Sequence, residues 1–191
     1  MLALFGCATP HPVALGPGQV EREGRQIVAE RVGVRVRVAL DAWTWNPRDL
    51  GQTLLLFHLM IENGSSQVVR LPFEGIALLD QARRQWRPLT PEQAHALAVT
   101  GRGTSGPVIS FGLGGGSGGY GVGVGAGIPV GGPSGYPEIL SRGFAGGEIP
   151  VGRRVEGFIY FPRLDPEVSR FTLLLSPVGG EAFPFDFAMA K

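Results

Sequence analysis

Cys7 is the only thiol in this chain, and the three histidines, His11, His58 and His95, lie far apart. A single cysteine rules out an internal disulfide and every multi-cysteine metal site. No pair of histidines has a ligand spacing such as H-E-x-x-H, and the serines offer no nucleophile elbow, the G-x-S-x-G string at Ser117 being a product of the glycine run. In "DAWTWNPRD", Asp41, Asn46 and Asp49 are of the types that hold a loop cation, but turns use the same residues for their own hydrogen bonds. Gly114, Gly116 and Gly119 match G-x-G-x-x-G inside a glycine run that produces the match by composition, with no phosphate-binding lysine nearby. The reading is a non-catalytic protein: no catalytic residues, no metal and no cofactor.

Two surface features point to recognition instead. In "RVGVRVRVAL", Val32, Val34, Val36, Val38 and Leu40 alternate with Arg31, Gly33, Arg35, Arg37 and Ala39, the period of a half-buried strand. If that alternation runs on, Arg35, Arg37, Trp43 and Trp45 share an outward face, a basic and aromatic strip for stacking on glycan rings or packing a partner. The competing expectation is a bulge near Asp41 that turns one Trp inward as core. Arg83, Arg84 and Arg87 form a basic cluster at a turn, either solvated or facing anionic phosphates.

The elements that would carry these residues read as strands. "TLLLFHLMIENGSS" sets Leu55, Phe57, Leu59 and Ile61 on one face and Leu54, Leu56, His58 and Met60 on the other, and ends at the turn signal Asn63-Gly64. Two apolar faces imply a central strand covered on both sides. Strands follow at "QVVRL", "GIALLD", "QWRPL", "RRVEGFIYFP", "SRFTLLLS" and "EAFPFDFAM", with Phe183, Phe185 and Phe187 on one face. One helix is expected in "TPEQAHALAV", where Thr90 caps, Pro91 opens the first turn and Gln93 completes a capping box. The count fits an all-β, two-sheet antiparallel sandwich with one short helix and a long glycine-rich insertion. A single domain over 20–100 and 138–191 is interrupted by residues 101–137. A Pro/Gly tether, 8–19, precedes it, and residues 1–7 read as the remnant of an export segment ending at Cys7. Net charge is +1, so no global field draws the protein to nucleic acid.

The insertion carries sixteen of the 31 glycines and no charge between Arg102 and Glu138. It also carries Phe111, Tyr120, Val122, Val124 and Ile128, apolar surface that a solvated spacer lacks. In "GVGVGAGI" one face is bare glycine, which lets a strand lie close against another backbone. These five residues are therefore the expected contact with a second copy or a partner. A membrane hairpin over 111–130, part of a pore, is the weaker alternative, since its edges require a closed oligomeric barrel.

Leu4-Phe5-Gly6-Cys7 resembles the lipobox of bacterial lipoproteins, in which Leu and Gly precede an acylated cysteine. The resemblance implies lipidation of Cys7, a membrane anchor, extracytoplasmic residence and a leader longer than the six residues that stand before it. Ala8 fits the family's pattern for sorting to an outer membrane. Asn63, Asp80, Trp86, Pro150, Gly152, Gly157 and Phe161 are similar in type and order to small secreted immunoglobulin-like domains of unknown function found in such lipoproteins. That resemblance implies the sandwich and no catalysis. The resulting expectation is an anchored envelope lipoprotein acting as an assembly or accessory subunit, partnered by itself or another envelope protein. The alternative is a cell-surface ligand-binding or glycan-binding module using Trp43 and Trp45.

Overall fold

The computed structural model describes residues 26–40, 42–100 and 136–189, together with the backbone of two short strands, β1 (Pro10–Pro12) and β2 (Gln19–Glu21). The remaining strands are β3 (Gln26–Arg31), β4 (Val34–Leu40), β5 (Leu54–Asn63), β6 (Val69–Leu71), β7 (Ile76–Asp80), β8 (Gln85–Trp86), β9 (Gly147–Ile149), β10 (Arg154–Pro162), β11 (Arg170–Leu175) and β12 (Phe183–Met189). Two five-stranded sheets run in the orders β1-β12-β11-β7-β8 and β10-β5-β4-β3-β2, and β6 pairs with β9 alone. Every pairing between these strands is antiparallel. The protein is mostly β.

The two large sheets bury one core between them. Val34, Val36, Val38 and Leu40 of β4, Leu55, Phe57, Leu59 and Ile61 of β5, and Ile159 and Phe161 of β10 meet Ile76 and Leu78 of β7, Leu173 of β11 and the three phenylalanines of β12. Phe57 is its centre, with ring centroids 5.9 Å from Phe161, 6.2 Å from Phe171 and 5.3 Å from Phe187. The alternation read in β4, β5 and β12 is the alternation observed.

Three expectations need correction. The alternating run from Arg31 is not one strand: β3 ends at Arg31, and Val32-Gly33 form a two-residue hairpin loop before β4. Both have positive φ, 47° and 76°, the geometry of a type I′ turn. Val32 therefore leaves the core row, and a β-branched residue in this left-handed region costs roughly 1–2 kcal/mol. Secondly, the single helix is joined by two others, so among the described residues the α-helices are α1 (Leu50–Thr53), α2 (Pro91–Thr100) and α3 (Pro137–Arg142). Only α2 carried a capping signal, and it forms: the Thr90 N–H donates to Gln93 Oε1 at 3.0 Å and the Gln93 N–H to Thr90 Oγ1 at 3.3 Å. Thirdly, within the segment read as a tether, Pro10–Pro12 pairs with β12, Pro10 opposite Met189.

Candidate functional site

The outer face of the β10-β5-β4-β3-β2 sheet is covered at one end by the three helices. The apolar second face of β5 explains why: Leu54 and Leu56 need cover, and Leu50, Leu89, Ala94, Ala98 and Ile139 supply it. Phe158 and Tyr160 of β10 and Trp43 join them in a second hydrophobic core, with Trp45 and Tyr136 packed at its margin.

Close backbone approaches lock this platform. A Cβ on Gly143, just after α3, would fall 2.4 Å from Pro91 Cγ at the start of α2 and 3.3 Å from the Tyr160 ring. Glycine at 143 is what lets both stems pack together. The Tyr160 hydroxyl donates to the Ile139 carbonyl at 2.9 Å, tying β10 to α3. Burial drives its pKa up, against the opposing charge of Arg142. Residues 101–135 connect α2 to the segment entering α3, so both stems of the glycine-rich insertion are rooted in this second core.

The two tryptophans lie in the platform. Trp43 is buried, its Nε1 donates to the Pro47 carbonyl at 2.9 Å, and its ring makes edge contacts with Trp45, Phe158 and Tyr160 at 5.5, 5.0 and 6.4 Å. Trp45 is half-buried and carries the Arg142 guanidinium 3.7 Å from its ring centroid, a cation–π contact. The expected outward strip of Arg35, Arg37, Trp43 and Trp45 is therefore not formed. β4 ends at Leu40 and the chain turns Trp43 into the second core, while Arg35 and Arg37 stay on the sheet face. Beside Arg37 and Met60 on that face, His58 packs on Phe158 with centroids 4.9 Å apart. Burial lowers the His58 pKa, and the Glu156 carboxylate partly offsets the shift.

The residues that carried the immunoglobulin-like resemblance hold turns and packing. Asn63, fully buried, donates from Nδ2 to the Gln67 and Ile149 carbonyls, both at 2.8 Å, and accepts at Oδ1 from the Ser65 N–H and hydroxyl at 3.0 and 2.6 Å. Asp80 organises the β7–β8 turn, accepting from the Ala82 and Arg84 N–H groups at 2.8 and 2.9 Å and from Arg84 Nε at 2.6 Å. Burial opposes its charge, yet the hydrogen bonds and charge of Arg84 and the Ala82 N–H hold its carboxyl below the ordinary range. Arg84 is thereby committed to Asp80, and it also lies 3.5 Å from Asp165. Gly152 takes φ 70° in the turn before β10, and a Cβ on Gly157 would press on the Phe144 backbone at 3.0 Å.

Cys7, Asp41, Phe111, Tyr120, Val122, Val124 and Ile128 lie outside the described residues. Among the described residues no cluster of His, Cys, Asp and Glu has a metal-binding arrangement, and no helix is long and apolar enough to cross a membrane. The contact of Arg142 with Trp45 had no local signal, because it joins residues far apart in sequence. Glycine after a short helix was the one trace of the α2–α3 junction.

No protein-family model matches the chain, and no curated protein matches it significantly. Among solved structures it is similar to the yjhA protein from Bacillus subtilis, at 16% sequence identity over 78% of this chain and 76% of that one, with a TM-score of 0.41. A likeness that distant carries no argument about fold or activity.

Proposed function

We propose that this protein is a non-catalytic, lipid-anchored envelope protein whose immunoglobulin-like sandwich presents the glycine-rich insertion for assembly with further copies of itself or with an envelope partner. The observation that carries the reading is the second core. Two helices, a buried tyrosine bonded to one of them and a glycine that admits a proline ring all serve to root the two ends of one insertion. A surface loop needs no such foundation, whereas a segment that must be held in register against another protein does.

Two antiparallel sheets closing on one core support the sandwich, and Asn63, Asp80, Gly152 and Gly157 have the turn and packing roles that the resemblance implies. In this reading acylated Cys7 holds the protein at the outer membrane. Pairing of β1 begins at Pro10, so only Ala8 and Thr9 lie between the anchor and the fold, three chain steps with a reach of at most about 11 Å. The domain then sits close to the bilayer, with the Met189 end of β12 nearest the lipid.

The test is native mass spectrometry of the protein extracted from its own membranes in mild detergent. The expected result is a subunit beginning at a diacylated or triacylated Cys7 within a larger complex. An unmodified, monomeric chain retaining Met1 would overturn both the anchor and the assembly.

A further inference from the structure

Four valines stand out at the end of the molecule away from the helices. Val32, Val68, Val151 and Val178 are 85%, 55%, 51% and 61% exposed. Each lies in or beside a turn, and hydrogen bonds join those turns into one surface. The Gly64 N–H donates to the Gly33 carbonyl at 2.8 Å, the Gly152 N–H to the Asn63 carbonyl at 2.7 Å, and the Val178 N–H to the Arg70 carbonyl at 2.8 Å. Asn63 Nδ2 bridges to Gln67 and Ile149, which flank Val68 and precede Val151. All four cluster around the Asn63 end of β5, whereas the helices cover its Leu54 end, about 30 Å away along a ten-residue strand.

Val32 shows that the described residues of one copy do not explain this surface. Its turn favours Asn-Gly or Asp-Gly, and a valine with φ 47° is strained there while packing on almost nothing. Burial against a second surface would offset that cost.

The charges around it identify that molecule. Strand register sets Glu30, Arg35, Glu62 and Arg154 in one row across β3, β4, β5 and β10, with alternating sign. Arg31 pairs with Glu181 at 3.1 Å, and Arg70 pairs with Glu148. Acid and base are matched, so an anionic bilayer gains no net attraction, and valine tips lack the Trp and Tyr that anchor loops at a bilayer interface. A row of alternating sign is instead complementary to the same row on a copy turned through a two-fold axis. We propose that this valine-tipped end is a self-association surface, on which two copies of the chain meet end to end, bury Val32, Val68, Val151 and Val178, and set each copy's arginines against the other's glutamates. This contact is separate from the insertion and does not rest on the lipid anchor.

Sedimentation velocity on the full chain, up to about 500 μM because a contact made by turn tips and exposed charges associates weakly, tests it against Val32→Asn. Asn suits the turn, so the variant keeps or raises the melting temperature. The expected result is a concentration-dependent dimer of the native chain whose dissociation constant rises at least about tenfold in Val32→Asn, since the residue is lost from both copies. A native chain that stays monomeric throughout, or a variant that dimerises equally well, overturns the proposal. Val32-dependent binding of the monomer to phosphatidylcholine vesicles would also overturn it, assigning the valines to a bilayer.

Discussion

The two hydrophobic cores are assembled from different kinds of information. The inter-sheet core is made of strands whose alternation is local: every second residue of β4, β5 and β12 points into it. The second core is made of pieces. Trp43, Leu50, Leu89, Ala94, Ile139 and Tyr160 come from a loop, the three helices or their flanks, and a strand, and none of those segments reveals by its own pattern that the others exist. One core makes the fold, and the other fastens an insertion to it. β5 belongs to both, with Phe57 on one face and Leu54 and Leu56 on the other.

That difference can be broken at unequal cost. Phe57→Ala removes the ring at the centre of the inter-sheet core and is expected to cost about 3–5 kcal/mol, a large share of a domain's stability. Because the second core is built on the back of the same strand, chemical denaturation should show both cores lost in one transition. Survival of the tryptophan environment after the sheets unfold would show that the helices stand alone. Gly143→Ala strikes only the α2–α3 junction, where a Cβ meets a proline ring that cannot swing aside. About 1–3 kcal/mol is expected from that overpacking. Near-ultraviolet circular dichroism of Trp43 and Trp45 should change more than the far-ultraviolet β signal. The reverse order would place the strain in the sheets.

Legibility followed the same division. Alternating faces placed β4, β5 and β12, short apolar runs placed β10 and β11, and the Thr90-Gln93 capping box placed α2, because those signals act over one strand or one helical turn. The β3–β4 hairpin was missed because Val32 stands where Asn or Asp is the usual signal, so a turn read as continuing alternation. α3 was missed because six residues are too few to show a helical period. Of the two expectations for the tryptophans, the inward turn of one of them past Leu40 is the one observed, and the outward strip fails because β4 stops at Leu40. Trp43 is buried by Phe158 and Tyr160, more than 100 residues away in sequence. Asn63, Asp80 and Gly157 were legible as positions, and their side chains show why those types stand there.

The smallest effect on stability is expected from the change that most directly tests the central claim, that the second core exists to present the insertion. Residues 103–135 are replaced by a short Gly-Ser linker, sparing Tyr136, which packs against that core. Melting temperature and native complex mass are then read on the same membrane-extracted sample. An unchanged melting transition with the complex reduced in mass is the predicted result. An undiminished complex would contradict the account, and so would collapse of the tryptophan environment, which would make the insertion part of the core rather than its cargo.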